Sequence, residues 1–304
     1  MISLKQLRYA RAVGKTLHFK KAADECNVSP SALSTALSEL ELQLGLKVFE
    51  RDTKKVLVTP SGKLVLERAE KILTDVEDLQ AIASLNSAPL TAPMSVGFIP
   101  TIAPFLLPHL LAELNQKHPE FSLHVTEEQS HVVVEKVRSG ELDAAILALP
   151  YPCDGLLTFE FWKEDFYWIA RKDNKLAKLS EIKSTRMEES KLMLLKEGHC
   201  LKDHILDACH LTKRNSDHGF SATSLTTLVQ MVAGGLGTTL VPAMALSQLI
   251  AQNPDLAAVH LNEPGPHRTI ALIMRPNYTR ISSIEALKEV AKTALSRLGR
   301  GQSM

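Results

Sequence analysis

Residues 19–45, which read FKKAADECNVSPSALSTALSELELQLG, contain the pattern that decides the N-terminal fold. Two apolar stripes at helical spacing stand in this stretch, at Phe19, Ala22, Ala23 and Cys26, and at Leu33, Leu37, Leu40 and Leu44. Between them, Ser29 is a good helix N-cap, and Pro30 suits the first helical position because the N–H it lacks would be unpaired there. Gly45 is typical of a helix end. The stretch predicts two helices joined by a tight turn, a helix-turn-helix.

The flanking segments extend this unit to residues 1–60. A further helical stripe precedes it, at Leu4, Leu7, Ala10 and Val13. After it, the basic segments 47–51 and 54–58 flank Asp52 and Thr53 and predict a hairpin, the wing. Residues 1–60 carry ten Lys and Arg against six Asp and Glu. This excess suits a phosphate-binding surface, although a solvated charged face would also show it.

A helix-turn-helix reads double-stranded DNA with its second helix, which lies in the major groove. Here that helix turns small polar residues outward, and the wing carries cations for phosphates or the minor-groove edge. The residues predicted to contact DNA are Ser29, Pro30, Ser31, Ser34, Thr35, Ser38, Arg51, Lys54 and Lys55. Long polar side chains that make bidentate base contacts are missing, so sequence preference is expected to lean on phosphate contacts and DNA shape. Cys26 is interpreted as a small core residue.

A linker helix is predicted with Thr59 as its cap and Pro60 as its first residue, and residues 61–86 are assigned to it as a separate segment of the chain. Its apolar residues follow a heptad spacing, at Val65, Ala69, Ile72, Val76, Leu79 and Ala83. This spacing predicts a homodimer seam, and the alternative is an amphipathic helix packed on its own domain. Residues 87–93 contain two prolines and predict a hinge.

From Met94 onward, strand and helix patterns alternate and predict an α/β domain with a parallel sheet. The predicted strands are 94–98, 121–126, 144–147, 166–170, 192–195, 238–241 and 268–274. The predicted helices are 105–116, 131–139, 224–233 and 284–298. Two subdomains are expected, one from residues 94–164 plus 268–304 and the other from residues 165–267.

The bulk properties exclude several classes of protein. The 304 residues suggest two or three domains, and the net charge of +1 excludes a polycation. No signal peptide follows Met1 and no stretch approaches ~18 uninterrupted apolar residues, so we expect a cytoplasmic protein without a membrane span. Four cysteines are too few for a disulfide scaffold. Cys153 is interpreted as an incidental loop thiol.

Two further cysteines, Cys200 and Cys209, bound the segment CLKDHILDAC. A cysteine at a helix N-terminus, beside His199 and Lys202, is expected to have its thiolate favoured by the helix dipole and by positive charge. A pKa lowered from ~8.5 to about 6 would raise the thiolate fraction at pH 7 from roughly 3% to about 90%. If the segment is helical, nine steps of ~1.5 Å separate the two Cα atoms by about 13 Å. A disulfide needs roughly 4.4–6.8 Å, so it could form only if the segment unwinds.

Two other interpretations of these cysteines stand beside the redox one. Both thiols could be buried and inert. A metal site could be formed by His199, Cys200, His204 and Cys209, but these residues lack a tight metal-ligand spacing, and no metal is expected.

The chain resembles the LysR family of bacterial regulators. The matching N-terminal residues are Phe19, Ala22, Ala23, Cys26, Val28, Ser29, Leu33, Ser34, Leu40, Glu41, Leu44, Gly45, Phe49, Arg51, Thr59 and Gly62. Around the cysteines the chain is similar to the OxyR-type hydrogen-peroxide sensors of that family, with matches at Gly97, Ile99, Pro100, Thr101, Leu194, Leu195, Phe220, Ala222, Thr223, Ser224, Leu225, Arg268, Thr269 and Ile270. The resemblance covers essentially the whole chain.

The sequence departs from the family pattern at two places. Pro30 and Ser31 stand where the family has Gln-Pro. Gly219 separates His218 from Phe220, whereas the family has the histidine directly before the phenylalanine. The first departure bears on base recognition, and the second puts the role of His218 in question.

The resemblance implies a periplasmic-binding-protein-like regulatory domain of two subdomains with an effector site in the cleft. It also implies that Cys200 is oxidised by hydrogen peroxide, that Cys209 resolves the product into a disulfide, and that the change alters promoter binding. The implied peroxide pocket consists of Thr101, Ser130, His199, Cys200 and Arg268, with His218 and Phe220 as further members. The implied partners are double-stranded DNA, a second and further copies of the chain up to a homotetramer, and RNA polymerase. No cofactor is implied.

Two functions of other classes remain open. One is a LysR-type regulator that binds a small molecule in the inter-subdomain cleft, with idle cysteines. The other is a thiol peroxidase, but the chain lacks the Thr-x-x-Cys and Cys-x-x-Cys contexts of such enzymes, and an enzyme would leave residues 1–60 unexplained. No enzymatic activity is therefore expected.

Overall fold

The structure of the chain is a computed structural model. It describes residues 1–51, 56–82, 88–187, 191–211, 221–250 and 253–300. The chain divides into two compact units, residues 1–86 and residues 87–304. Among the described helices, none combines the length and the apolar composition that a membrane crossing needs.

The N-terminal unit is the predicted winged helix-turn-helix, followed by a long helix. Its elements are α1 (Leu4–Thr16), α2 (Phe19–Glu25), α3 (Pro30–Leu44), the antiparallel strands β1 (Phe49–Arg51) and β2 (Val56–Val58), and α4 (Pro60–Ile82). Ser29 caps α3, since its hydroxyl accepts from the Ala32 N–H at 3.2 Å, and Gly45 ends the helix with a φ of +67°. The apolar stripes of the first three helices meet in one core. The wing tip, with Lys54 and Lys55, lies outside the described residues.

A buried carboxylate joins α3 to β1. Glu41 is 3% exposed, and its Oε1 accepts from the backbone N–H groups of Val48 at 3.0 Å and Phe49 at 3.1 Å, while Oε2 accepts from Lys47 Nζ at 2.8 Å. Burial alone raises the pKa of Glu41, but these donors outweigh burial and hold the pKa below its ordinary value. The ionised side chain therefore holds the start of the wing, at β1, against α3, the second helix of the helix-turn-helix.

The linker helix places the residues of the predicted seam on two edges, and the homodimer seam stays a prediction. Ala69 is buried and Val65 half-buried in the core of the N-terminal unit, together with Leu73, because α4 packs on α1. The alternative of a helix packed on its own domain thus holds for this edge of α4. Two other residues of the predicted seam, Ile72 and Leu79, are exposed, as is the neighbouring Leu64. Ala83, the last residue of the predicted seam, lies outside the described residues.

The second unit contains two main β-sheets. The strands are β3 (Met94–Phe98), β4 (Leu123–Glu127), β5 (Ala144–Leu149), β6 (Leu157–Glu164), β7 (Phe166–Arg171), β8 (Glu181–Ile182), β9 (Leu194–Leu195), β10 (Ser221–Ala222), β11 (Thr239–Pro242), β12 (Leu256–Leu261) and β13 (Arg268–Met274). The helices are α5 (Ala103–Lys117), α6 (Ser130–Ser139), α7 (Cys200–Ala208), α8 (Leu225–Ala233), α9 (Leu246–Leu249) and α10 (Ile281–Arg300). The sheet orders are β4–β3–β5–β13–β6 and β11–β7–β12–β8, with β9 and β10 as a separate parallel pair.

Both main sheets are mixed, so the expectation of a parallel sheet was wrong. Strand β3 is parallel to β4 and β5, but β13 is antiparallel to β5 and β6, and β7 is antiparallel to β11 and β12. The chain leaves the first sheet through Asp165 and returns through residues 262–267 at the same end, where Arg268 pairs with Glu164, so β13 runs antiparallel to β6 and β5. The strands β6 and β12 were not predicted, although residues 157–164, LTFEFWKE, carry the alternation of apolar and polar residues that is typical of a half-buried strand. The assignment of residues to subdomains stays a prediction.

The predicted hinge at residues 87–93 is partly anchored. Leu90 is 2% exposed in the core of the second unit, and its N–H donates to the Ser283 hydroxyl at 3.1 Å. The prolines of the segment predicted a flexible connection, but they did not indicate that one apolar side chain would tie it to α10.

The buried Glu41 carboxylate generates a prediction about the stability of the N-terminal unit. Glu41→Ala leaves two buried backbone donors unpaired, so we expect its free energy of unfolding to fall by about 2–4 kcal/mol. Because the folded-state pKa is lowered, the stabilisation is present above the unfolded pKa of Glu and is lost as the pH falls through the folded pKa. Urea unfolding of both proteins at neutral and acidic pH measures both effects.

The exposed Glu39 lies on the same helix, and Glu39→Ala serves as the matched control. Its loss should change the free energy of unfolding by less than about 0.5 kcal/mol. Equal effects of the two substitutions would contradict the anchoring role of Glu41.

Candidate functional site

The two cysteines stand at opposite ends of one helix. Cys200 is the first residue of α7, and Cys209 is its C-cap, whose N–H bonds to the Ile205 carbonyl at 3.0 Å. Both thiols are free and both residues are 4% exposed. The rise of a helix separates their Cα atoms by about 13 Å, well outside the range of a disulfide. The folded segment therefore keeps the thiols apart.

The pocket around Cys200 is built where parallel strands end. Thr101 follows β3, Ser130 follows β4, and Pro150 follows β5, and these three strands run in the same direction. Because the carboxyl ends of parallel strands lie at one edge of a sheet, residues distant in sequence meet there. Arg268, the first residue of β13, approaches the same place. Thr101, Ser130 and Arg268 are each 1–2% exposed.

Arg268 is the organising cation of the pocket. Its Nη1 donates to Thr101 Oγ1 at 3.2 Å, and its Nη2 donates to the Thr101 carbonyl at 3.2 Å. Its Nε donates to Glu164 Oε1 at 2.7 Å, and Nη2 lies 2.7 Å from the same oxygen. One hydrogen on Nη1 then has no partner among the described residues.

Two hydroxyl groups of the pocket can donate to a small ligand. Thr101 Oγ1 accepts from Arg268, so its own hydrogen is free to donate elsewhere. The Ser130 hydroxyl is buried and makes no hydrogen bond of good geometry within the described residues. It lies beside the Cys200 sulfur, where donation to a thiolate is favourable. The pocket thus offers hydroxyl and guanidinium donors next to a nucleophilic sulfur.

The acidity of Cys200 corrects the sequence expectation of a lowered pKa. Burial raises the pKa of Cys200 above its ordinary value, while the Ser130 hydroxyl, the Arg268 charge and the Ala148 backbone N–H act in the opposite direction without overcoming burial. The free energy needed to remove a thiolate from water is larger than the stabilisation that these groups give it. In this state the thiol is therefore predominantly protonated at neutral pH.

The two histidines near Cys200 do not supply the expected positive charge. Burial lowers the pKa of both His199 and His204 below the ordinary value, so both rings are neutral at pH 7. His199 is the N-cap residue of α7, and its Nε2 lies 3.4 Å from Gln129 Nε2. His204 Nε2 lies 2.9 Å from the Pro150 carbonyl and ties α7 to the end of β5. The cation beside Cys200 is Arg268, and Lys202 instead pairs with Glu197 at 3.8 Å.

Cys209 has an apolar environment. Burial, followed by the negative charge of Glu263, raises the pKa of Cys209 to about 12. The thiol packs in the same core as Leu201 and Ile205 of α7. Cys209 is therefore unreactive as long as the helix stays folded.

The structure brings together most of the predicted pocket residues. Thr101, Ser130, His199, Cys200 and Arg268 form one connected cluster, whereas His218 and Phe220 lie outside the described residues. The sequence reasoning missed Glu164 as a member of this cluster. Its only signal was a carboxylate at the last position of a strand that was itself not predicted. Within the described part of the chain, no group of three or more potential ligands could hold a metal ion.

An open groove of about 420 Å³ adjoins this cluster. It is lined by Leu149, Pro150, Tyr151, Glu160, Pro266, His267, Arg268 and Thr269. Its walls are mixed, with apolar proline and leucine side chains beside one carboxylate. A small organic molecule placed there would contact both Arg268 and the Pro150 segment that binds His204.

The predicted DNA-contact residues of α3 are accessible. Ser29, Pro30, Ser31, Thr35 and Ser38 are exposed, and Ser34 is half-buried. The strand position of Arg51 is described, but its side chain is outside the description, as are Lys54 and Lys55. The outward face of α3 is thus small and polar, as predicted.

Comparison with known proteins defines the class of this protein. Residues 4–63 match the bacterial regulatory helix-turn-helix protein, lysR family, and residues 88–296 match the LysR substrate binding domain. The chain belongs to the LysR family of bacterial transcription regulators.

Individual relatives extend over almost the whole chain. It is 39% identical over 297 residues to the HTH-type transcriptional regulator EstR of Acinetobacter baylyi, covering 97% of this chain and 98% of the relative. It is 37% identical over 300 residues to a probable hydrogen peroxide-inducible genes activator of Streptomyces viridosporus, covering 97% and 95%. A solved structure of full-length OxyR from Pseudomonas aeruginosa, a cysteine-to-aspartate variant, superposes with a TM-score of 0.81 at 33% identity, covering 96% and 95%.

The buried His204 generates a prediction about acid stability. Its folded-state pKa is lowered, so the unfolded chain takes up the proton first as the pH falls. Stability is complete above the unfolded pKa of His, ~6.5, and decreases below it. His204→Gln keeps a donor for the Pro150 carbonyl. Between pH 7 and 5 we expect the free energy of unfolding of this variant to decrease less than that of the wild type, by up to about 1.4 kcal/mol per pH unit. Thermal unfolding followed by circular dichroism at several pH values measures the difference.

His124 is exposed on β4, and His124→Gln serves as the control with the same chemical change. It measures what the same substitution does at an exposed position. A His204→Gln profile that matches the wild type would count against the buried neutral imidazole.

Proposed function

We propose that the chain is a hydrogen-peroxide-responsive transcription regulator in which Cys200 is the peroxidatic thiol and Cys209 the resolving thiol. The observation that carries the proposal is the placement of a free Cys200 beside the hydroxyl donors Thr101 and Ser130 and the buried Arg268. The similarity to the Streptomyces relative, a probable hydrogen peroxide-inducible genes activator, supports the same conclusion.

The first chemical step oxidises the sulfur of Cys200. The thiol loses its proton, and the thiolate attacks one oxygen of hydrogen peroxide, so that an S–O bond forms and the O–O bond breaks. The leaving hydroxide takes up the proton and departs as water, and Cys200 becomes a sulfenic acid. Thr101 and Ser130 can donate to the peroxide oxygens, and the free Nη1 hydrogen of Arg268 can stabilise the leaving hydroxide.

The second step links the two cysteines. The Cys209 thiolate attacks the sulfenic sulfur, a disulfide forms, and the hydroxyl group leaves as water with the thiol proton. The two Cα atoms must first approach from about 13 Å to less than 7 Å, so α7 has to unwind. Unwinding breaks the contact of His204 with Pro150 and exposes the apolar surroundings of Cys209. Oxidation would thereby remodel the regulatory domain and change promoter binding of antioxidant genes.

The DNA-binding part completes the proposal. Helix α3 enters the major groove of double-stranded DNA with Ser31, Thr35 and Ser38, and the wing holds phosphates through Arg51, Lys54 and Lys55. The exposed Leu64, Ile72 and Leu79 of α4 supply an apolar surface for a homodimer, and further contacts of the regulatory domain would give a homotetramer. RNA polymerase is the partner through which a bound regulator would act in the cytoplasm.

The redox switch generates a direct prediction. A brief, near-stoichiometric pulse of hydrogen peroxide should convert the reduced protein within seconds to a form with a Cys200–Cys209 disulfide. Cys26 and Cys153 should remain free, and alkylation followed by mass spectrometry distinguishes all four residues. Cys200→Ser should abolish the reaction, whereas Cys209→Ser should stop at the sulfenic acid.

The alternative is a regulator that binds a small molecule. If Cys200 and Cys209 both stay alkylated after the pulse, the peroxide proposal is wrong. The groove beside Arg268 would then be the place to search for an effector by thermal-shift measurements with small organic molecules. Family membership and DNA binding would be unaffected by that result.

The recognition helix generates a second prediction. Thr35→Ala should weaken binding to a duplex that the wild-type protein selects from a random-sequence pool by about 0.5–1.5 kcal/mol, the contribution of one neutral hydrogen bond. Binding to unrelated duplexes and the dependence of affinity on salt should stay the same, because Thr35 carries no charge. The exposed Thr158 of β6 provides the control variant Thr158→Ala. A loss of equal size on every duplex would show that Thr35 does not read bases.

A further inference from the structure

Arg268 is a fully buried cation that faces one carboxylate. The side chain of Arg268 is 0% exposed and that of Glu164 is 2% exposed. A buried charge is strongly destabilising unless a partner neutralises it and hydrogen bonds satisfy its remaining polar atoms. Glu164 neutralises the charge, and its Oε1 meets Nε and Nη2 of Arg268 at 2.7 Å each. Thr101 accepts from Nη1 and Nη2.

Glu164 is itself held from two sides. Its second oxygen, Oε2, accepts from the Met244 backbone N–H at 2.9 Å. Glu164 and Arg268 are also opposite each other in the antiparallel pairing of β6 with β13. The carboxylate therefore has little freedom to follow a moving arginine, and its position decides where the guanidinium can lie.

A second contact joins the same two segments, residues 164–166, where the chain leaves the first sheet, and residues 267–268, where it returns. Asp165, next to Glu164, lies 3.5 Å from His267 Nδ1, next to Arg268. His267 Nδ1 also accepts from the Phe166 N–H at 2.8 Å. The geometry of the pair Glu164–Arg268 is thus supported by a second contact between the same two segments.

We propose that Glu164 is a positioning residue for the peroxide reaction: it holds the Arg268 guanidinium toward Thr101 and neutralises its charge, and it thereby limits how strongly the arginine favours the Cys200 thiolate. The inference rests on the proposed function of Cys200. It assigns to Glu164 the role of setting the balance between thiol and thiolate through Arg268.

The electrostatic consequence follows from counting charges in the buried cluster. Arg268 and Glu164 together are neutral, so a Cys200 thiolate adds an uncompensated negative charge. Burial is the largest cause of the raised pKa of Cys200; the Arg268 charge lowers this pKa, and the negative charge of Asp203 raises it. The other titratable groups that face this region are Tyr151, His199, Asp203 and His204. None of these adds a positive charge at neutral pH, because the two histidines are neutral.

The test compares charge removal with charge retention at position 164. Glu164→Gln keeps the shape but removes the counter-charge, so Arg268 should favour the thiolate more. We expect the titration of Cys200 to move to lower pH and the peroxide reaction at pH 7 to accelerate roughly tenfold, the factor that corresponds to one pH unit. Glu164→Asp keeps the charge but shortens the side chain, so the titration should stay near that of the wild type while the peroxide reaction slows.

The measurement uses the full-length chain with Cys26→Ser, Cys153→Ser and Cys209→Ser, so that Cys200 is the remaining thiol. Thiolate absorbance at 240 nm is followed against pH, and the signal of the same protein with Cys200→Ser is subtracted. Stopped-flow kinetics with hydrogen peroxide give the rate. Glu113→Gln is the matched control, because Glu113 is also a 2% exposed glutamate that pairs with an arginine, Arg297, between α5 and α10.

A further variant keeps the test decisive if Glu164→Gln does not fold. Glu164→Gln combined with Arg268→Gln removes both charges, a change that buried ion pairs often tolerate. The proposal expects the double variant to titrate close to the wild type, because a neutral pair is replaced by a neutral pair. A titration moved well to higher pH would mean that Arg268 acts as an uncompensated cation and would overturn the proposal.

The remaining outcomes also decide the question. A Glu164→Gln protein that folds and titrates like the wild type and like Glu113→Gln contradicts the role of Glu164. The absorbance titration does not depend on peroxide, so it tests Glu164 even if the wild-type thiol proves unreactive. Failure of the peroxide reaction in the wild type would refute the proposed function instead.

Discussion

The regulatory unit depends on the burial of one arginine. Arg268 begins β13 at the point where the chain returns to the first sheet, and its side chain is withdrawn from water. A cation in that place requires acceptors on every side. The chain supplies them from distant segments, with Thr101 after β3 and Glu164 at the end of β6. The arginine therefore connects the strand ends that form the pocket with the segments that link the two sheets.

The same arginine explains how the pocket treats its cysteine. Cys200 lies close enough to Arg268 for the positive charge to favour the thiolate, but the charge is already matched by Glu164 and the site excludes water. Burial then prevails, and the thiol is protonated at rest. The second thiol, Cys209, is held in an apolar core at the other end of α7. An intact helix thus separates two protonated thiols, whose Cα atoms lie about 13 Å apart.

The N-terminal unit also contains a buried charged side chain, in this case an anion. Glu41 is a buried anion, and two backbone N–H groups and one lysine satisfy it where α3 meets β1. The contact positions the wing relative to the recognition helix. The two edges of helix α4 differ in burial. Ala69 and Leu73 face the domain core, while Leu64, Ile72 and Leu79 are exposed. One helix can therefore support its own domain and still leave an apolar edge exposed.

The sequence by itself determined the local features of this protein. Caps, turns and apolar spacing act between residues a few positions apart, and they correctly predicted the helix-turn-helix, the cap at Ser29, the strand β13 and a helix with a cysteine at its start. The tertiary structure alone decided the mixed sheets, the two edges of α4, the membership of Glu164 and the acidity of Cys200. Sheet direction and the burial of a charge depend on which distant segments meet, and the spacing of residues along the chain carries no information about that. The lowered pKa expected for Cys200 was wrong for this reason, because the local helix dipole was visible in the sequence, whereas the loss of water around the sulfur was not.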